Sequence, residues 1–152
     1  MNSKETRTMA AALTATALGC TAWTLTSPAQ AEAAGSATPC APTVRACVDL
    51  STQQAWLTHN GVVDFGPVPM RAGRPSAPTD PGTFRVTFKD LHHRSTIFNN
   101  APMPYSVFFN GGDAFHEGSL SVPSHGCVHL SHSAAATFYA TLQSGDQVQV
   151  VR

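Results

Sequence analysis

Only one stretch of this chain carries the apolar stripe of a helix: Ala135, Phe138, Tyr139 and Leu142 fall at i, i+3, i+4 and i+7. Ser131 or Ser133 is placed to cap its start, and Gly145 stands where such a helix ends. Elsewhere the apolar residues alternate in short runs. Val44, Ala46, Val48 and Leu50 share one strand face, and Phe84, Val86 and Phe88 share another within a strand predicted over Thr83 to Phe88. Ser106 to Phe109 and Gln147 to Val151 read as further short strands. Ala55-Trp56-Leu57-Thr58 and Val62-Val63-Asp64-Phe65 flank His59-Asn60-Gly61, and Asn-Gly between two such runs signals a hairpin. Pro67, Pro69, Pro75, Pro78 and Pro81, with Gly73 and Gly82, predict a loop from Pro67 to Gly82. The pattern predicts a mainly β domain with one α-helix in its C-terminal half, and Trp56, Phe84, Phe88, Phe138 and Tyr139 are expected in its core.

At 152 residues the chain can bury one core. Nine basic and nine acidic residues cancel, so no basic patch stands out to neutralise phosphates, which argues against a nucleic-acid partner. Lys4 and Arg7 precede an uncharged, alanine-rich run from Met9 to Leu25, and Ala29-Gln30-Ala31 supplies a small-x-small cleavage site. Residues 1–31 therefore read as a secretory signal peptide, with a secreted or cell-wall location for the rest. The run is short for a membrane span and five of its residues are threonine or glycine, so no stable membrane insertion is expected after cleavage. A rival signal at Ala17-Leu18-Gly19-Cys20 loosely resembles a lipoprotein site, but Ala17 stands where leucine is preferred and the apolar run continues past Cys20 through Trp23. Residues 32–43 are rich in small residues and proline and read as a flexible lead into a domain over 44–152.

Loss of the signal removes Cys20 and leaves Cys40, Cys47 and Cys127, an odd count in a compartment that favours disulfides. Cys47 lies on the strand face opposite Ala46 and Val48, and Cys40 is close enough in sequence to bridge it. Cys127 is then the free thiol. It sits in His116-Glu117-Gly118-Ser119-Leu120-Ser121-Val122-Pro123-Ser124-His125-Gly126-Cys127-Val128-His129-Leu130, which packs three histidines around one sulfur. A thiol attacks as thiolate, a nearby imidazole can take its proton, and Gly126 lets backbone N–H groups approach an oxyanion.

Ser124-His125-Gly126-Cys127-Val128 with His116 upstream resembles the active-site motif of the L,D-transpeptidase (YkuD-type) family. Val48 to Gln54, Gly73 with Thr79-Asp80-Pro81-Gly82-Thr83-Phe84, Met103-Pro104-Tyr105 and Gly145-Asp146-Gln147-Val148 resemble other stretches of the same family, so the likeness runs from about Val44 to Val151. The resemblance implies a single YkuD-like β-sandwich or barrel-like domain without cofactor or bound metal. It implies acyl transfer from a peptidoglycan stem peptide, with release of D-alanine to an amine and acylation by carbapenems. By position Cys127 is the nucleophile and His116 the base. His125, Gly126 and Ser124 shape the oxyanion loop, and Tyr105 and His129 are candidate substrate contacts. Two features depart from the family pattern: His129 stands where arginine is commonest, and only eleven positions separate His116 from Cys127.

Other functions are weighed against this one. Water as acceptor would make the chain an L,D-carboxypeptidase, and a non-catalytic wall-binding module is a further reading. His116, His125, Cys127, His129 and His132 include enough donors for zinc, but their spacing lacks a second cysteine pair. His59, His92, His93 and His132 are expected to be solvated.

Overall fold

The computed structural model describes residues 38–152. The expected signal segment, Cys20 included, and positions 32–37 lie outside the described residues. The elements run β1 (Ala46–Asp49), β2 (Gln54–His59), β3 (Val62–Arg71), β4 (Gly82–Arg85), β5 (Phe88–Arg94), β6 (Pro102–Asn110), β7 (Asp113–Glu117), β8 (Val128–Leu130), α1 (His132–Thr141) and β9 (Gln147–Val151). The strands form one sheet in the order β4-β9-β1-β2-β3-β8-β7-β6-β5. Its two edges, β4 and β5, are consecutive in the chain and joined only by Val86 and Thr87. An open sheet nine strands wide cannot have adjacent edges, so this one curls round on itself into a half-barrel. The joint is held from both sides, since the Val86 N–H donates to the Asp146 carbonyl at 2.9 Å and the Thr87 N–H to that of Phe108 at 2.8 Å.

This closure corrects the expectation of one strand over Thr83 to Phe88. Alternation continues through the segment, but β4 pairs with β9 and β5 with β6, so the run is split between two ladders. The predicted loop also begins too early, because β3 runs through Pro67 and Pro69 to Arg71. Along Val62 to Pro69 this strand pairs only with β2, and it meets β8 only at Met70 and Arg71. A proline lacking an N–H is tolerated where one edge of a strand has no partner. The hairpin between β2 and β3 turns at Asn60 and Gly61, whose φ values of 50° and 79° are the left-handed pair such a two-residue turn needs.

Inside the curl lie Leu57, Val107, Phe115, Val128, Leu130, Phe138 and Leu142 among others. Full burial of side chains this large stabilises the fold by about 1.5–3 kcal/mol each. Helix α1 packs on β6, β7 and β8, with Ala135, Phe138 and Leu142 buried and Tyr139 partly so, which matches the predicted stripe. Ser131 caps it, its Oγ accepting from the Ala134 N–H. Phe88 departs from expectation: it lies on edge strand β5, 48% exposed, and stacks on Phe108 with centroids 4.9 Å apart.

Cys40, Val44, Cys47 and Trp56 form a second, smaller cluster. Val44 precedes β1 and joins this cluster rather than the face of Ala46 and Val48. The lead is anchored from Thr38 onward, since Thr38 and Cys40 are buried and a disulfide joins Cys40 to Cys47. Closing a loop of eight residues lowers unfolded-chain entropy enough to stabilise the fold by about 2.5 kcal/mol. Cys40→Ser is expected to lower the unfolding free energy by about that amount in urea titrations. Alkylation without reduction is expected to label protein lacking the signal segment once, at Cys127.

Candidate active site

β7 and β8 run parallel, with Phe115 opposite Val128, His116 opposite His129 and Glu117 opposite Leu130. A parallel pair requires the connecting chain to travel back along the sheet, and residues 118–127 make that return journey. Cys127 immediately precedes β8, and extending the register by one residue sets it level with Ala114. His116 is two residues beyond Ala114 on the same face. Cys127 and His116 are thus at diagonal positions across adjacent strands, and both line one cavity. The parallel return is made within this spacing of eleven residues.

Both groups are neutral as placed. His116 is buried, and its Nδ1 lies 2.7 Å from the Glu117 carbonyl oxygen, an acceptor that requires the proton on Nδ1. Nε2 is then the free acceptor. Burial pulls the His116 pKa down to about 4, with the Glu117 hydrogen bond opposing and His129 and His93 adding to the fall. Burial likewise pushes the Cys127 thiol up to about 11, relieved in part by the Ala114 N–H and reinforced by the charge of Asp113. Asp113 is itself held above the usual carboxylate range, chiefly by burial, while Asn110 donates to it at 3.3 Å.

The loop before Cys127 is pinned at Ser124, Gly126 and Cys127. The Ser124 N–H donates to the Ala72 carbonyl and the Arg74 N–H to the Ser124 carbonyl, both at 3.1 Å. Ser124 Oγ donates to the Cys127 carbonyl, and Thr79 Oγ1 donates to the Gly126 carbonyl at 2.7 Å while accepting from the Gly73 N–H at 2.9 Å. Gly126 has φ +114°, and a Cβ there would stand 2.1 Å from Asp113 Oδ1. Gly126→Ala is therefore expected to cost about 1–3 kcal/mol in backbone strain. It should also displace the Asp113 carboxylate. Thermal unfolding and the rate of Cys127 alkylation measure both effects.

Around this pair opens a cavity of about 640 Å³, lined by His116, Cys127, Ser124, His125, His129 and Asp113, by His93 from β5 and by Phe98 from the β5–β6 loop. The model of the L,D-transpeptidase catalytic domain, YkuD, matches residues 43–150. The chain belongs to this family. Solved L,D-transpeptidases share its fold. One from Stackebrandtia nassauensis is 33% identical with a TM-score of 0.67, the match covering 70% of this chain and 54% of that one. One from Mycobacterium tuberculosis H37Rv is 25% identical with a TM-score of 0.67, covering 73% and 58%. A third, solved in complex with imipenem, is 25% identical with a TM-score of 0.65, covering 72% and 59%. The chain therefore spans between half and two thirds of the length of these relatives. Comparison with curated proteins gave no match.

Within this L,D-transpeptidase domain the other expected residues divide. The His125 ring lies 4.3 Å from that of Phe98, and His129 holds the Ser119 carbonyl through Nδ1 at 3.0 Å while its ring meets that of His116 edge-on at 4.9 Å. Tyr105 is corrected: it does not line the cavity, and its ring packs on His132 and Tyr139 at 5.3 and 6.0 Å. His59, His92 and His132 are exposed, His132 with its Nδ1 2.9 Å from a Glu117 carboxylate oxygen. His93 is half-buried against Phe108 and lines the cavity, contrary to the solvated placement expected of it. Among the described residues no group of three or more histidine, cysteine, aspartate or glutamate side chains is placed to hold a metal ion.

Proposed function

We propose that this chain is an exported L,D-transpeptidase that cross-links or remodels peptidoglycan. The observation that carries the reading is the diagonal pairing of Cys127 and a neutral His116 in one cavity, with Nδ1 tied to a carbonyl and Nε2 free. Nε2 takes the Sγ proton as sulfur attacks the carbonyl that follows an L-centre of the stem. Backbone N–H groups of the Gly126-Cys127 loop hold the oxyanion. Collapse breaks the C–N bond, His116 returns the proton to the departing D-alanine amine, and the acyl group remains on sulfur as a thioester. An amine of a second stem then attacks, the C–S bond breaks, and the thiol recovers its proton.

Family membership supports the acyl-transfer chemistry, and the relative solved with imipenem supports carbapenems as acylating inhibitors. The basic head, apolar run and Ala29-Gln30-Ala31 support export to the cell wall. The test is to incubate the purified domain with disaccharide-tetrapeptide and read products by mass. Dimers with loss of D-alanine are expected. Tripeptide alone would assign water as the acceptor, and unchanged substrate that still binds would make the domain a wall-binding module.

A further inference from the structure

Seven lysines and arginines lie among the described residues. Four have partners: Arg45 reaches the Thr58 carbonyl and Asp64, Arg85 the Gly145 carbonyl, Lys89 the Leu142 carbonyl and Arg94 the Asn100 carbonyl. Of the remaining three, Arg152 lines neither cavity. The other two, Arg71 and Arg74, line one cleft of about 250 Å³ together with Gln53 and Pro123, and no acidic residue lines it.

The cleft abuts the catalytic loop. Pro123 lines both the cleft and the main cavity, and the Arg74 N–H is bonded to Ser124. Arg71 stands opposite His129, and His129 opposite His116, so the three occupy one row across β3, β8 and β7. Two strand spacings put the Arg71 backbone about 10 Å from that of His116, within reach of an extended arginine. The main cavity is lined by Asp113 and Glu117 and by neither lysine nor arginine. A donor stem ending in D-alanine brings a carboxylate one residue beyond the attacked carbonyl, and the cavity offers it no permanent cation.

We propose that Arg71 and Arg74 form the binding site for the terminal carboxylate of the donor stem, on the far side of Pro123 from the thiol. Guanidinium groups suit this task because they stay charged and can engage both carboxylate oxygens at once. The inference rests on the acyl-transfer reading above, and it supplies the recognition that His129, already committed to Ser119, does not.

The test uses a tetrapeptide stem ending in D-alanine and the same peptide with that carboxylate amidated. Binding to Cys127→Ala protein is measured by calorimetry, with and without Arg71→Gln and Arg74→Gln together, and turnover is measured in the same arginine variants with Cys127 intact. Amidation and the double substitution are each expected to weaken binding roughly tenfold to a hundredfold. Combined, they should lose no more than either alone. KM should rise by a similar factor with kcat nearly unchanged, and alkylation of Cys127 by neutral iodoacetamide should not change. Equal affinity for the two peptides, or an arginine effect that persists in full on the amide, would overturn the assignment even if wild-type protein turns the peptide over. Carboxylate-dependent binding without any turnover would leave the site standing and remove the transpeptidase reading instead. Binding of neither peptide would overturn the site.

Discussion

Replacing Cys127 by alanine is expected to reduce acyl-enzyme formation and turnover by about 10⁶-fold, the scale on which loss of a catalytic nucleophile is felt. It is the free cysteine among the described residues, and it is half-buried at the cavity wall. With its pKa near 11 the isolated thiol is almost wholly protonated at neutral pH, so its reactivity depends on a base rather than on a standing thiolate. The fold should barely notice the change. Sγ meets the Gly112 carbonyl at 3.7 Å and the Ala114 N–H, and replacing one sulfur at such a site costs about 1 kcal/mol or less. Carbapenem incubation followed by mass spectrometry should show one adduct on wild-type protein, mapped to Cys127, and none on the alanine variant of equal melting temperature. An adduct on another residue, or one that survives in the variant, contradicts the assignment.

The candidate site is legible in the sequence where its residues are contiguous. Ser124 to Cys127 form one loop, and a loop that must bring a thiol and backbone N–H groups to one point carries its signature in four consecutive letters. What the chain does not show along its length is what the curled sheet assembles across it. His93 and Phe98 reach the cavity because β5 and β6 fold back as a hairpin beside β7, and Arg71 reaches the row of His116 only because β8 slots between β3 and β7. The two strands that flank the candidate site are also the hardest to read from sequence. β8 alternates over only three residues, too few to mark a strand, and β7 buries Ala114, Phe115 and His116 in succession, so neither shows the sustained alternation of β9. Tyr105 is the converse case. A tyrosine between proline-rich neighbours suggests a cleft wall, but at φ +59° it departs from the extended backbone of β6 and packs its ring against α1.

His116→Ala is expected to slow Cys127 acylation by roughly 10² or more, the usual scale of a lost general base. The pH profile separates this role from mere support. Burial holds the imidazole pKa at about 4, so wild-type acylation should rise from acid with a midpoint near pH 4 and run level through neutrality. In the alanine variant that limb should vanish, leaving a rate proportional to thiolate that climbs tenfold per pH unit toward 11. His125→Ala should keep the limb near pH 4, because its ring rests on Phe98 and its contribution is to loop shape. The same burial has a thermodynamic signature with a fixed sign. The folded pKa lies below the ordinary value of 6.5, so the unfolded chain binds the proton more readily. The stabilising term is fully present above about pH 6.5 and is lost as pH falls toward 4, amounting to about 3 kcal/mol. Urea unfolding of wild type between pH 7 and pH 4 should show that loss, and His116→Ala should lose correspondingly less. A variant that retains both the acid limb of acylation and the full acid destabilisation would place the buried base elsewhere, and retention of the limb in His116→Ala together with its loss in His125→Ala would exchange the roles of the two histidines.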